Sequence, residues 1–149
     1  MNASAAPTEL VTVSVAGQAF GIAVADVRDV LAAPAIARIP LAPAEVAGSL
    51  NLRGRIVTAI DLRQRLGLPP RGAGEPAMSV VVDHRGELYC LLVDGVGDVF
   101  RLEAAAIEAN PPTLAPAWRA LALGVCRLDG RLVVVLDVAR TLDLAARAA

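Results

Sequence analysis

One stretch of this chain occurs twice, and the repeat constrains the fold more than any other feature. Gly48 to Leu68 reads G-S-L-N-L-R-G-R-I-V-T-A-I-D-L-R-Q-R-L-G-L. Beginning 76 positions later, Gly124 to Leu144 reads G-V-C-R-L-D-G-R-L-V-V-V-L-D-V-A-R-T-L-D-L. Gly48 matches Gly124, Leu52 matches Leu128, Gly54-Arg55 matches Gly130-Arg131, and Ile60-Asp61 matches Leu136-Asp137. Each copy runs strand, tight Gly turn, apolar strand, Asp, short helix. Asp129-Gly130 is a strong two-residue hairpin signal and Arg53-Gly54 a weaker one. Asp61 followed by Gln64 is a helix-start signature, so Asp61 and Asp137 read as N-caps.

A second match lies at an offset of 69, where Phe20 to Val30 aligns with Tyr89 to Val99. Both matching elements occur in the same order in both halves. Neither small β unit can bury its apolar face alone, so the repeat predicts two similar units sharing a core. They are expected at about 19–70 and 78–144. The strand Leu10–Val15 is free to pair with either unit, and the Pro- and Gly-rich run Pro69–Pro76 is a boundary loop. Many short strands with hairpin turns and few helices point to barrels or a sandwich. Ala25–Leu31 reads as a short helix or a bent strand, Leu102–Ile107 as a short helix or an extended edge, and Asp137–Ala148 as a closing helix. Trp118 reads as a core plug, and Met1–Thr8 as a flexible tail.

Composition limits the function. A chain of 149 residues can bury roughly 68–70% of its unfolded surface, enough for a stable core. The net charge is −1 and every basic residue is an arginine, scattered along the chain. Binding to nucleic acid or an anionic membrane needs clustered positive charge, so neither partner is expected. Cys90 and Cys126 are far apart in apolar runs and read as buried free thiols. The lone histidine, His84, falls in a hairpin turn, and no metal set can be built without His or Cys clusters. There is no phosphate-binding Gly-rich loop. The serines stand in no nucleophile context, and Asp94 with Asp98 reads as turn and edge residues rather than an acid–base pair. No catalytic residue, metal or cofactor is expected. No apolar run reaches the ~20 residues of a membrane span, and the start lacks a secretion signal, so a soluble cytoplasmic protein is expected. Asp29, Arg53 and Asp98 remain, each in or beside an apolar strand. They are solvated strand edges, or the charged rim of an apolar partner groove.

Several of these residues together resemble a known family. They are Gly48-Ser-Leu-Asn51-Leu52-Arg53-Gly54-Arg-Ile-Val with Ile60-Asp61-Leu62-Arg63, Phe20-Gly21, Val27-Arg-Asp29-Val30, and Leu92-Val93-Asp94-Gly95-Val96-Gly-Asp98-Val99. The pattern is similar to the CheW-like domains, the coupling proteins of bacterial chemotaxis, from about Leu10 to Leu144. The resemblance implies a mostly β fold: two five-stranded SH3-like β-barrels around a shared apolar core, with short helices and a C-terminal helix. It implies a non-enzymatic adaptor between the cytoplasmic tip of chemoreceptors and the regulatory domain of the CheA-type histidine kinase. By position, Val27, Asp29, Val96 and Val99, with Asp98 beside them, match the family's receptor groove between barrels. Gly48 and Arg53 match positions tied to coupling. Asp29 stands where the family usually has Glu, one methylene longer. The chain ends soon after the second barrel, which fits a stand-alone adaptor.

Two other functions predict different features. A nucleic-acid-binding barrel predicts a basic, aromatic face, whereas aromatics are 3% of this chain. A ligand-binding barrel or small enzyme predicts a pocket with convergent polar groups.

Overall fold

The structure, a computed structural model, describes residues 9–32, 36–72, 75, 77–102 and 106–143. The expected tail 1–8, the middle of the 102–107 segment and the closing helix beyond 143 lie outside the described residues. Within them the first half forms β1 (Glu9–Val15), β2 (Gln18–Ala23), a 3-10 turn at Val24–Asp26, β3 (Val27–Ala32), β4 (Val46–Leu52), β5 (Arg55–Asp61) and helix α1 (Leu62–Arg65). The second forms β6 (Met78–His84), β7 (Glu87–Val93), β8 (Gly95–Arg101), α2 (Pro116–Leu121), β9 (Ala122–Leu128), β10 (Arg131–Leu136) and α3 (Val138–Leu142). The 24–32 segment is therefore a tight turn followed by a strand, and the strand carries a bulge between Val27 and Asp29.

The strands make two five-stranded sheets, ordered β8-β1-β2-β10-β9 and β3-β6-β7-β5-β4. This corrects the expected units 19–70 and 78–144, because the sheets do not follow the halves of the chain. Each sheet takes its first hairpin from one half and its other three strands from the other half. β1, expected to pair with either unit, joins β2 and β8. The physical reason is parallel pairing: β2 lies parallel to β10 through Phe20–Val134, and β7 lies parallel to β5 through Thr58–Tyr89. Parallel neighbours cannot be joined by a tight turn and need a long crossover. The crossover from β2 to β10 contains the whole second sheet.

The repeat survives this interlacing. Shifting by 69 carries β1, β2 and β3 onto β6, β7 and β8, and shifting by 76 carries β4 and β5 onto β9 and β10. All four hairpins, at Ala16-Gly17, Arg53-Gly54, Arg85-Gly86 and Asp129-Gly130, have positive φ at both central residues. Such turns match the twist of the flanking strands. The Arg53-Gly54 turn, weaker in sequence, adopts the same geometry as the others.

Alternation along the strands sends one face of each sheet to a common centre. There Val13, Val15, Phe20 and Ile22 meet Ile60, Val80, Leu91 and Val93, together with Leu62, Leu121 and Val138 from the helices. The opposite faces form two smaller clusters, one around Leu10, Cys126 and Val133 and one around Val57, Val81 and Cys90. The two cysteines are thus free, buried and in separate clusters. Trp118 packs edge-on against Phe20, with ring centroids 5.2 Å apart. Its indole N–H donates to the Leu66 carbonyl at 3.0 Å, the core plug the sequence predicts. Asp61 caps α1 by accepting from the Arg63 N–H, and Asp137 caps α3 by accepting from the Arg140 N–H. The buried Arg65 of α1 donates to the Thr141 and Arg140 carbonyls at 2.8 and 2.9 Å, tying α1 to α3.

Candidate partner-binding surface

β3 and β4 are opposite edges of the second sheet, yet the chain brings them together. Just beyond β3, Ala37 and Ser49 exchange N–H···O bonds of 2.7 and 2.8 Å. The β4–β5 turn then carries Arg53 to Asp29, with a guanidinium–carboxylate distance of 3.1 Å. The other Asp29 oxygen accepts from the Val30 N–H at 2.8 Å. Two site residues picked separately from sequence are therefore a contacting pair. The Arg53 side chain is 81% exposed, and an exposed ion pair contributes little to stability, about 0.2–1 kcal/mol.

Gly48 has a different place. It is buried, its φ is +151°, and a Cβ built there would overlap the Ala37 carbonyl. Its repeat partner Gly124 lies against the Glu108 carbonyl in the same way, where Glu108 and Val125 exchange bonds of 2.7 and 2.9 Å. Both glycines let a returning segment cross an edge strand, which is a packing requirement.

The four valines divide by strand position. Val27 and Val96 pack on the central cluster, whereas Val30 and Val99 are 39% and 57% exposed. β3 and β8 are edges of different sheets. Val96 and Asp98 line a cavity of about 300 Å³ that Val27 and Asp29 do not line. Among the described residues no hydrogen bond or ion pair joins the β3 set to the β8 set.

Sequence reasoning passed over three features. Ile56 and Leu132, at matched repeat positions, are 74% and 42% exposed. Alternation signals this, since Val57 and Val133 point inward beside them. The cavity also takes in Asp129 and Arg131 from the β9–β10 hairpin. The third feature is a clamp on Asp94. Its carboxylate accepts from Arg63 at 3.1 and 2.7 Å, from Arg71 at 3.0 Å and from the Ala16 N–H at 2.7 Å. Asp94, a turn residue by its sequence, fastens the β1–β2 turn, α1 and the 69–71 loop to the start of β8.

Partial burial alone would raise the Asp94 pKa, but the bonds from Arg63, Ala16 and Arg71 outweigh it and hold the group down to about 2. A depressed carboxyl pKa contributes stability that is complete above the unfolded value of about 3.9 and is lost as pH falls through the folded one. Acid unfolding followed by circular dichroism is therefore expected to show a loss between about pH 4 and pH 2. In Asp94→Asn the loss in that window should be reduced. An unchanged acid profile in the variant would remove Asp94 as its source.

Residues 9–146 match the CheW family model, described as the CheW-like domain. The chain belongs to the CheW-like domain family. It is 29% identical over 133 residues to the chemotaxis protein CheW of Rhizobium meliloti, covering 87% of this chain and 84% of that protein. It is 24% identical over 135 residues to the CheW of Bacillus subtilis, covering 91% and 86%. The crystal structure of the scaffolding protein TtCheW from Thermoanaerobacter tengcongensis superposes with a TM-score of 0.78 at 30% identity, covering 89% of this chain and 90% of that one. In this CheW-like domain, no group of three or more His, Cys, Asp or Glu among the described residues could hold a metal ion. No helix there is long and apolar enough to cross a membrane.

Proposed function

We propose that this CheW-like domain is a non-enzymatic, cytoplasmic adaptor of a chemotaxis system. It couples the cytoplasmic tip of a chemoreceptor to the regulatory domain of a CheA-type histidine kinase. The observation that carries this reading is the match to a scaffolding protein over about nine-tenths of both chains. The surface is in keeping with it. A scaffold needs a rigid body, and the Asp29–Arg53 pair and the Val96–Asp98 cavity are carried by two sheets packed on one core. A receptor tip is a helical hairpin, and an amphipathic helix docks in an apolar groove with charged rims. Val27, Asp29, Val96, Asp98 and Val99 are assigned to that groove, and Arg53 to contact with the kinase or receptor.

Two variants test the assignment. Arg53→Ala should melt close to wild type, within about 1 kcal/mol for an exposed pair, and bind the kinase domain or receptor fragment more weakly. Asp29→Arg should weaken receptor binding by about 2–5 kcal/mol if the partner contact is desolvated, and by less if it stays wet. Its own stability should fall by about 1 kcal/mol, because the pair with Arg53 and the bond from the Val30 N–H are both lost. Calorimetric titration with a receptor cytoplasmic fragment, alongside thermal melts, reads both quantities. Normal binding with a normal melt takes Asp29 out of the groove, and a collapsed melt makes it a structural residue.

A further inference from the structure

The two sheets are built alike, so their open ends can be compared residue by residue. Shifting β3 by 69 carries Asp29 onto Asp98, and shifting the β4–β5 hairpin by 76 carries Arg53, Arg55 and Ile56 onto Asp129, Arg131 and Leu132. The strand pairing supports the alignment: Val27 faces Val82 in one sheet and Val96 faces Val13 in the other, each beside a bulge. At the end of the second sheet the repeat is closed from within, by Arg53 on Asp29 at 3.1 Å. At the end of the first sheet the arginine is replaced by Asp129. Among the described residues neither Asp98 nor Asp129 forms an ion pair. Both line the cavity of about 300 Å³, whose walls include Val13, Val96, Phe100 and Val133. One Asp and two Arg give the closed end a charge of +1, whereas two Asp and one Arg give the open end −1.

We propose that this cavity is a socket for one basic side chain, arginine or lysine, presented by a partner protein. The inference rests on the scaffold reading for the partner's being a protein, and the socket's preference follows from the cavity itself. Its volume is at the lower end of the ~300–1,000 Å³ typical of ligand clefts, a size suited to a single long side chain. The apolar walls take the aliphatic stem and the carboxylates take the charged head. The fold already shows this recognition once, because Asp29 holds a guanidinium at the equivalent place in the other sheet. Arg131 does not oppose it, since its counterpart Arg55 belongs to the same hairpin as the paired Arg53.

The test uses N-acetyl-arginine amide as the probe and N-acetyl-citrulline amide, of the same shape without the charge, as the control. Amide shifts of the ¹⁵N-labelled protein are followed by NMR. The arginine probe is expected to move Gly95, Gly97, Asp98 and the 129–131 amides saturably, with citrulline at least about fivefold weaker. Asp129→Arg restores the internal guanidinium and should lose the response while staying folded, since Arg53 holds the same positive-φ turn position in the other sheet. Asp98→Asn, with little steric change, should also weaken it. Equal shifts with citrulline, or shifts that persist in both variants, would overturn the proposal. The same amides moving on concentration of the protein alone would replace the partner with a second copy, and overturn it too. Neither receptor nor kinase enters the titration, so a failed socket and a failed scaffold reading remain distinguishable.

Discussion

Gly48→Ala is expected to lose about 2–5 kcal/mol of stability, the joint cost of a strained backbone and an overpacked contact. For a chain of this size that is a fall of about 5–15 °C in Tm. The new methyl would sit at φ +151° and against the Ala37 carbonyl, at the crossing that joins the end of β3 to β4. Gly124→Ala is an internal control. It makes the same approach to the Glu108 carbonyl without the positive φ, so it should lose less, about 1–3 kcal/mol. Thermal melts of the two variants separate strain from packing. A Gly48→Ala protein that melts normally but binds a partner poorly would contradict the packing role, and would make Gly48 a contact residue.

Arg65→Met is expected to cost about 2–4 kcal/mol, because buried carbonyls lose their donors while the stem volume is kept. Arg65 lies 76 positions before Thr141, so the two occupy the same place in the repeat and bond to each other across the halves. Thr141 in turn donates its hydroxyl to the Asp137 carbonyl at 2.8 Å. The contact joins the two helix ends of the repeat, and the whole cooperative unit should feel its loss. Urea unfolding reads the effect, and a midpoint within error of wild type would show that the carbonyls find other donors.

Local patterns were legible in the sequence because local physics determines them. Gly at the second turn position, Asp at helix starts and alternating valines specify hairpins, caps and a buried face within a few residues. Sheet membership was not legible. Phe20 pairs in parallel with Val134 and Tyr89 with Thr58, and nothing in either copy of the repeat states which copy its hairpin will join. The Asp29–Arg53 pair shows the same limit at the surface. Both residues stood out singly as charges beside apolar strands, but their contact spans a whole sheet. The clamp on Asp94 is illegible for a related reason, since its partners Arg63 and Arg71 come from a helix and a loop that only the fold brings near.

The proposed coupling of a receptor to a kinase by this CheW-like domain is open to one direct measurement. Co-sedimentation tests it directly, with receptor-bearing membranes, a CheA-type kinase and the protein mixed together and in every pairwise omission. The kinase is expected to pellet with the membranes in a saturable way that depends on this protein, and Arg53→Ala to weaken the effect without a change in folding. A folded protein that binds neither the membranes nor the kinase would contradict it.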